Sequence, residues 1–356
     1  MDVDLPYRVV SVADLSGHDD RAWHVAWNPA KPLLATCSAD KSVRIYAYTP
    51  DPSPNFVLHT SIPTGHTKTV RGIAWSPSGH TLATASFDAN IGIWQREDQD
   101  DAGEAVGGEW ECVTILEGHE TECKSVAWSP TGTFLASCSR DKTVWVWEAQ
   151  PDADFECMGV LMEHTQDVKC VAWHPREEIL ASASYDDSIK LYLDDPSEDW
   201  FCFTTLTGHA STVWSLAWAP NGQYLASASD DRTVRIWKRI TEHEWKCVLV
   251  LEEHGRTVYS VTWGVGKPGK TDSGSESLGW LASTGGDGRI NVWAFEESPE
   301  ATNKRPPKSR LIARLENAHG VNDVNSIAWC PRKGYEDLIA TVGDDGVAKV
   351  WKVASV

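Results

Sequence analysis

Apolar and polar residues alternate over short segments of the chain, which predicts β-strands. In HTKTVRGIAW, residues 66–75, apolar side chains stand at Val70, Ile73 and Trp75. The three-residue step from Val70 to Ile73 breaks the alternation, so we predict a β-bulge at 71–72. The segments TLATAS and NIGIW follow at turn distance and predict two further strands of the same sheet. We call these three strands a, b and c.

This three-strand unit recurs seven times, with the same spacing from tryptophan to aspartate in the first five copies and a longer one in the last two. Every copy has a histidine, a tryptophan, an aspartate and, six residues after the aspartate, an aromatic residue. The histidines are His18, His66, His119, His164, His209, His254 and His319; the tryptophans are Trp27, Trp75, Trp128, Trp173, Trp218, Trp263 and Trp329; the aspartates are Asp40, Asp88, Asp141, Asp186, Asp231, Asp287 and Asp345; the final aromatics are Tyr46, Trp94, Trp147, Tyr192, Trp237, Trp293 and Trp351. Repeats of about 40–45 residues with this signature are typical of WD-repeat β-propellers. The sequence therefore predicts an all-β, seven-bladed WD-repeat β-propeller, with residues 1–356 forming a single domain.

The ends of the chain predict how the ring closes. The last copy ends at Trp351 with only KVASV behind it, whereas other copies continue into an outer strand, d, such as ECVTIL or ECMGVL. The segment YRVVSVADL, residues 7–15, has strand character but follows no strand of its own. We expect it to complete the last blade, because closure removes exposed sheet edges.

Three insertions, at 99–108, 264–279 and 299–308, are expected to share one face of the ring. They follow strands c, a and c respectively, and in a four-stranded meander the a–b and c–d connections lie together. The opposite face, which we call the top face, carries the b–c and d–a connections. Its loops are short and uniform.

A repeated set of four polar groups is expected to be structural. A hydroxyl residue stands four positions before each aspartate: Thr36, Thr84, Ser137, Ser182, Ser227, Ser283 and Thr341. In the third copy, His119, Ser137, Asp141 and Trp147 predict a buried chain of hydrogen bonds from indole to hydroxyl to imidazole to carboxylate. Ser, His and Asp also suggest a hydrolase triad, but seven equivalent copies favour a structural role. Where Tyr46 and Tyr192 replace tryptophan, we expect the chain to be altered or absent.

Function is expected where the copies differ, at two variable positions of the top face. Before the turn aspartates stand Ala39, Phe87, Arg140, Tyr185, Asp230, Gly286 and Asp344; at the bulge stand Trp23, Arg71, Lys124, Lys169, Trp214, Tyr259 and Asn325. A ring entrance can collect such side chains without functional meaning. Alternatively, they bind a short acidic and aromatic peptide. The candidate partner-binding residues are Arg140, Tyr185, Lys124, Lys169, Arg71, Phe87, Trp23, Trp214 and Tyr259, and we expect Lys124, Lys169 and Tyr185 near Arg140.

Composition narrows the possible functions further. The net charge of −19 argues against non-specific nucleic-acid binding. There is no apolar run of membrane-spanning length and no signal pattern in MDVDLPYRVV. The nine cysteines include no CxxC pair, and the histidines are spread too widely around the ring to bind one metal ion. We interpret Cys112, Cys157, Cys202 and Cys247, each seven residues before a repeat histidine, as small core residues in a reducing compartment. That favours the cytoplasm, with the nucleus left open.

Several blade-specific strings resemble one family of WD-repeat proteins over nearly the whole chain. LEGHETECKSVAWSPTG, CSRDKTVWVWE, HTQDVKCVAWHP, LASASYDDSIKLY and GHASTVWSLAW with SDDRTVRIW resemble the cytosolic iron–sulfur assembly proteins of the Cia/Ciao family. The resemblance implies a non-enzymatic component, without a cofactor of its own, of the late targeting complex that delivers iron–sulfur clusters to cytosolic and nuclear apoproteins. Implied partners are a hydrogenase-like iron–sulfur carrier, a DUF-type targeting adaptor, a HEAT-repeat scaffold and apoprotein clients.

Two details of the resemblance concern single residues. The arginine of the CSRDK string, which lies on the functional top surface in that family, is Arg140 here. Some relatives carry Leu-Tyr-Arg as a cochaperone contact, whereas Leu191 and Tyr192 are followed here by Leu193. A peptide-reading propeller of another pathway, such as a ubiquitin-ligase substrate receptor or a histone reader, remains the alternative.

Overall fold

The computed structural model describes residues 5–49, 54–96, 109–151, 154–195, 199–267, 275–297 and 306–356. These residues contain 28 strands arranged as seven four-stranded antiparallel sheets. The strands are β1 (Tyr7–Leu15); in blade 1, β2 (Ala22–Trp27), β3 (Leu33–Ser38), β4 (Ser42–Thr49) and β5 (Asn55–Pro63); in blade 2, β6 (Val70–Trp75), β7 (Thr81–Ser86), β8 (Ile91–Arg96) and β9 (Trp110–Leu116); in blade 3, β10 (Cys123–Trp128), β11 (Phe134–Ser139), β12 (Val144–Ala149) and β13 (Phe155–Leu161). They continue in blade 4 with β14 (Val168–Trp173), β15 (Leu180–Ser184), β16 (Ile189–Asp195) and β17 (Asp199–Leu206); in blade 5 with β18 (Val213–Trp218), β19 (Tyr224–Ser229), β20 (Val234–Arg239) and β21 (Trp245–Leu251); in blade 6 with β22 (Val258–Gly264), β23 (Ser277–Gly285), β24 (Ile290–Glu296) and β25 (Lys308–Leu315); and in blade 7 with β26 (Val324–Trp329), β27 (Leu338–Gly343) and β28 (Ala348–Ser355).

The predicted closure is confirmed, because β1 is the fourth strand of blade 7. It runs antiparallel to β28, from Tyr7 opposite Ser355 to Leu15 opposite Ala348. Val9 and Leu15 are buried in the clusters on either side of this sheet. The strand thus joins blade 7 to the rest of the core as well as covering its edge.

The core lies between the blades, and strand b is the most completely buried strand of each sheet. In β3, β11, β19 and β27 every residue is buried. These strands are rich in alanine, serine and threonine, as in FLASCS and YLASAS, so adjacent sheets approach closely. The tryptophans of strand a fill the wider spaces; Trp173, for example, meets Trp200 edge-on with ring centroids 5.5 Å apart.

The predicted bulge in blade 2 is confirmed and is present in all seven blades. The pairing of β6 with β7 shifts register between Val70 and Gly72, which leaves Arg71 as the extra residue. The same shift leaves out Trp23, Lys124, Lys169, Trp214, Tyr259 and Asn325 in the other blades. A bulge bends its strand locally, and here it presents one variable side chain per blade to the channel entrance.

The b–c turns of the top face share one backbone conformation. The residue after each turn aspartate has a φ between 64° and 79° at Lys41, Ala89, Lys142, Asp187, Arg232, Gly288 and Gly346. This left-handed conformation is disfavoured for residues with a Cβ. The turn is nevertheless kept in five blades without glycine, and the aspartate before it accepts the hydrogen bonds described below.

Parts of the insertion segments lie outside the described residues. These are 99–108, 268–274 and 299–305, so their common placement remains a prediction. Within the described ranges there is no helix whose length and hydropathy would allow it to cross a bilayer.

The interpretation of four cysteines as core residues is wrong. Cys112, Cys157 and Cys247 are exposed and Cys202 is half-buried. They lie on the outer strand of each blade, where a register shift opposite the strand-c aromatic interrupts the pairing. The outer strand is paired along one edge only, with strand c, so small residues on it remain at the exposed rim of the blade.

Candidate interaction site on the top face

The predicted four-residue hydrogen-bond chain is complete in blades 2, 3, 5 and 7. In all seven blades its histidine contacts both the turn aspartate and the buried hydroxyl, which ties each top-face turn to its blade. In blade 3, Nδ1 of His119 lies 2.9 Å from Asp141, Nε2 lies 2.9 Å from the Ser137 hydroxyl, and the indole nitrogen of Trp147 donates to that hydroxyl at 3.1 Å. The corresponding indole bonds in blades 2, 5 and 7 measure 3.1, 2.9 and 2.8 Å. Ser137 is completely buried, so its hydroxyl cannot reach a substrate. The chain therefore acts as a structural brace.

The brace favours the ionised carboxylate. Burial alone would raise the pKa of Asp88, but hydrogen bonds from His66 and from the backbone of Thr67 and Asn90 lower it to about 2. Asp141 behaves in the same way: His119 and Thr143 outweigh burial and hold its pKa well below the usual range. An ionised carboxylate accepts the Nδ1 proton, which leaves Nε2 to accept the hydroxyl proton. The ionised aspartate therefore sets the donor-to-acceptor direction of every hydrogen bond in the brace.

The two tyrosine blades differ from each other. In blade 4 the Tyr192 hydroxyl lies 3.3 Å from the Ser182 hydroxyl, so a longer version of the bond is kept. In blade 1 the hydroxyl of Tyr46 is buried without a hydrogen bond of normal geometry to any described residue. The chain is therefore altered in both tyrosine blades, as expected: blade 4 keeps a longer aromatic bond, and blade 1 lacks that bond but keeps the contacts of His18 with Asp40 and Thr36.

The bulged residues surround a cavity of about 320 Å³ at the channel entrance, which we call the mouth. It is lined by Trp23, Arg71, Lys124, Lys169, Trp214, Tyr259, Asn325 and also by Phe87, Arg21, Asp323 and Asp344. The structure therefore brings together seven of the nine candidate partner-binding residues. The other two, Arg140 and Tyr185, are not among the lining residues.

Basic groups and aromatic rings alternate along one side of the mouth. The Arg71 guanidinium lies 4.8 Å from the centre of the Trp23 ring, and the Lys124 ammonium lies 4.1 Å from that of Phe87. Lys169 lies 5.1 Å from the Trp214 ring, which meets Tyr259 edge-on at 5.6 Å. Cation–π contacts keep these cations close to apolar surface, so this side can bind a group that is both anionic and flat.

Acidic groups occupy the other side of the mouth, at blade 7. Asp344 accepts a hydrogen bond from Asn325 at 2.9 Å and pairs with Arg21 at 3.6 Å. Asp323 accepts a hydrogen bond from the Tyr259 hydroxyl at 3.3 Å. The sequence-based reasoning missed Arg21 and Asp323, since neither occupies a position that the repeat comparison singled out. The mouth is therefore electrically polarised across its width.

Arg140 lies in a separate shallow depression of the top face. This depression is lined by Glu122, Arg140, Gln166, Asp167 and Tyr185. The Arg140 side chain is 59% exposed and pairs with Glu122 at 3.4 Å. Tyr185 lines the same depression as Arg140, as predicted. Lys124 and Lys169 are linked to it indirectly: Lys124 pairs with Glu122, and Lys169 lies 5.2 Å from the Tyr185 ring. No sequence signal indicated that Glu122 would partly neutralise Arg140.

The described thiols do not resemble a metal site. Within the described residues no three His, Cys, Asp or Glu side chains are grouped as metal ligands. Burial raises the pKa of Cys37 to about 12 and also raises that of Cys170. Thiolates rather than thiols bind metals, so these groups are poorly suited to hold a cluster.

The fold and the repeated brace define a WD-repeat β-propeller. The family described as "WD domain, G-beta repeat" matches residues 9–47, 57–95, 110–148, 155–192, 200–238, 245–294 and 310–352. Each matched segment begins in an outer strand and ends in strand c of the next blade, so the seven matches account for the complete ring.

Full-length relatives define the family more narrowly. The "Probable cytosolic iron-sulfur protein assembly protein 1" of Mycosarcoma maydis is 48% identical over an alignment that covers 97% of this chain and 93% of the relative. The protein of the same name from Cryptococcus neoformans var. neoformans is 41% identical, covering 97% and 99%. A "Probable cytosolic Fe-S cluster assembly factor" of Schizosaccharomyces japonicus is 40% identical over 38% of this chain and 20% of the relative. The chain belongs to the WD-repeat family of cytosolic iron–sulfur protein assembly protein 1.

Proposed function

We propose that this chain is a non-enzymatic interaction platform of cytosolic iron–sulfur protein assembly, acting in the late targeting complex that delivers clusters to cytosolic and nuclear apoproteins. The observation that carries this proposal is the 41–48% identity, over nearly the full length, to relatives named as assembly proteins. The same identity supports a cytoplasmic location, to which we add the nucleus as part of the proposal. Clusters would be cargo of the complex and not a cofactor of this chain.

The top face supports a binding role. The mouth combines aromatic rings with arginine and lysine, and such residues often dominate the energy of protein interfaces. The depression around Arg140 adds an exposed cation and an exposed ring, Tyr185. We therefore propose protein partners, namely a hydrogenase-like iron–sulfur carrier, a DUF-type targeting adaptor, a HEAT-repeat scaffold and apoprotein clients. We propose no membrane or nucleic-acid partner.

A non-enzymatic role agrees with the geometry of the brace. The histidine, aspartate and hydroxyl groups that resemble a hydrolase triad are used within each blade, and all seven hydroxyl residues are completely buried. A nucleophile has to reach its substrate.

The proposed contact with a cochaperone is weakened, because Leu193 stands where some relatives have the arginine of a cochaperone-binding motif.

Affinity purification of the full chain, followed by mass spectrometry, tests the proposal. We expect the targeting adaptor, the HEAT-repeat scaffold and iron–sulfur apoproteins among the captured proteins. Capture of ubiquitin-ligase subunits or histones in their place would support the alternative of a peptide-reading adaptor from another pathway. A hydrolase screen of the same preparation should show no activity that is lost with Ser137→Ala.

A further inference from the structure

Arg71 differs from the other cations of the mouth because its charge is not compensated. Lys124 pairs with Glu122, and Lys169 pairs with Asp167 at 3.2 Å. Among the described residues no carboxylate lies within ion-pair distance of the Arg71 guanidinium, whose aromatic contact is Trp23. The positive charge of Arg71 is therefore free to pair with an anion that enters the mouth from solution.

The surroundings of Arg71 make this charge costly. Burial, together with the charge of Arg71, lowers the pKa of the neighbouring His24 to about 4, so the imidazole is neutral at physiological pH. The thiols of Cys37, Cys138 and Cys170 are also close enough to interact with the guanidinium, and burial keeps them protonated. A partly buried cation among neutral groups is unfavourable unless an anion approaches it.

The guanidinium of Arg71 is accessible from the mouth. Its side chain is half-buried and lines the cavity of about 320 Å³, which lies in the size range of small-ligand sites. Lys124 stands on the next blade of the same side, and an ammonium group that already holds one carboxylate retains N–H donors for a second acceptor. Asp323 and Asp344 on the blade 7 side repel an anion and so direct it towards Arg71.

We infer that the mouth is a binding site for a single oxyanion, a carboxylate or a phosphate, which Arg71 binds and Lys124 assists. The apolar part of such a ligand contacts the rings of Trp214 and Tyr259. The oxyanion comes either from a free small molecule or from an acidic group of a protein partner. This site is distinct from the Arg140 depression, and its existence does not depend on the proposed role in iron–sulfur protein assembly.

Calorimetric titration with inorganic phosphate and with glutarate, at constant ionic strength, tests the inference on the full chain. We expect saturable binding to the wild type and an affinity at least about tenfold lower for Arg71→Gln, because a charge-assisted bidentate contact is lost. Arg71→Lys keeps the charge but loses the paired N–H donors of the planar guanidinium, so its affinity should be intermediate. Lys68→Gln is the matched control: it removes one charge from an exposed residue of the same blade and should bind as the wild type does.

Thermal melting separates a binding role of Arg71 from a structural one. Without added anion, Arg71→Gln should melt at the same temperature as the wild type or higher, because an uncompensated charge has been removed. With anion, the wild type and Lys68→Gln should gain the most stability, Arg71→Lys less, and Arg71→Gln the least. A lower melting temperature for Arg71→Gln without anion would show that Arg71 is structural and would overturn the inference.

Two further outcomes are decisive. If neither anion binds the wild type, or if Arg71→Gln binds both with wild-type affinity, the inference is wrong. If the anions bind as expected, partner capture identifies the source of the oxyanion. Capture that survives Arg71→Gln indicates a free small molecule, and capture that is lost indicates an acidic group of the partner.

Discussion

Lys124 and Arg140 bind opposite oxygens of one carboxylate, that of Glu122. Lys124 contacts Oε2, and Nη1 of Arg140 lies 3.4 Å from Oε1. Burial would raise the pKa of Glu122, but these two cations together lower it. The mouth and the outer depression are thus joined by a single ionised group, and a change of charge at Arg140 is felt at the edge of the mouth.

Arg140→Glu should weaken partner capture while leaving the fold intact. The side chain is mostly exposed, whereas the reversed charge would lie beside Glu122 and repel an acidic partner. We expect a loss of about 2 kcal/mol or more, as for an interface hot spot, and a smaller loss for Arg140→Lys. The measurement is quantitative capture of targeting-complex proteins after each variant has been shown to melt like the wild type.

Lys333→Glu serves as the control for that experiment, because Lys333 is exposed in the a–b connection of blade 7, on the opposite face. Lys304, in the 299–308 insertion, would be an equivalent choice but lies outside the described residues. Full capture by Arg140→Glu would refute the top-face proposal and make the insertion face the better candidate.

Asp141→Ala should destabilise the protein by about 1–3 kcal/mol, because it leaves buried donors without an acceptor. Asp141 accepts from His119, from the Thr143 hydroxyl at 2.6 Å and from the backbone of Glu120. Asp186→Ala should cost less, since Tyr192 closes its brace with a longer contact. Denaturant unfolding measures both variants, with the exposed Glu120→Ala as control. Equal costs would show that the aromatic donor is unimportant.

The free energy of unfolding should depend on pH through Asp88. Its pKa is about 2 in the folded protein and near 3.8 without the fold, so the unfolded chain takes up a proton first as the pH falls. The stabilisation is complete above about pH 5 and is lost towards pH 2. The difference in unfolding free energy between wild type and Asp88→Asn, measured with urea from pH 6 to 2.5, should therefore shrink with acid. A difference that stays constant would contradict this account.

Removing residues 1–15 should prevent cooperative folding. The deletion leaves β28 with an unpaired edge and uncovers the two core clusters that Val9 and Leu15 join. Val9→Asp should act in the same direction by placing a charge in the core, whereas Arg8→Asp, at an exposed position of the same strand, should have little effect. Melting and size-exclusion chromatography provide the measurement. A truncated protein that stays monomeric and melts like the wild type would rule out closure by β1.

Features that depend only on the conformation of a single blade could be predicted from the repeated sequence. Comparing seven copies located the bulge at Arg71 and the brace of His119, Ser137, Asp141 and Trp147, because local spacing determines both. It did not predict contacts that depend on side-chain conformations across loops, such as that of Glu122 with Arg140. The exposure of Cys157 was missed for a related reason: the irregular pairing of the outer strand breaks the alternation from which burial is read.

The closure of blade 7 also has a consequence for biosynthesis. β1 is synthesised before every other strand of the propeller, yet its partner β28 exists only after Ala348–Ser355 has been made. At 5–20 residues per second, β1 waits roughly 20 to 70 s without its neighbour. Blades 1 to 6 contain only strands that are consecutive in the chain and can pair as they emerge. The nascent chain thus carries an open strand, a target for chaperones and for wrong pairing, until translation of the last blade is complete.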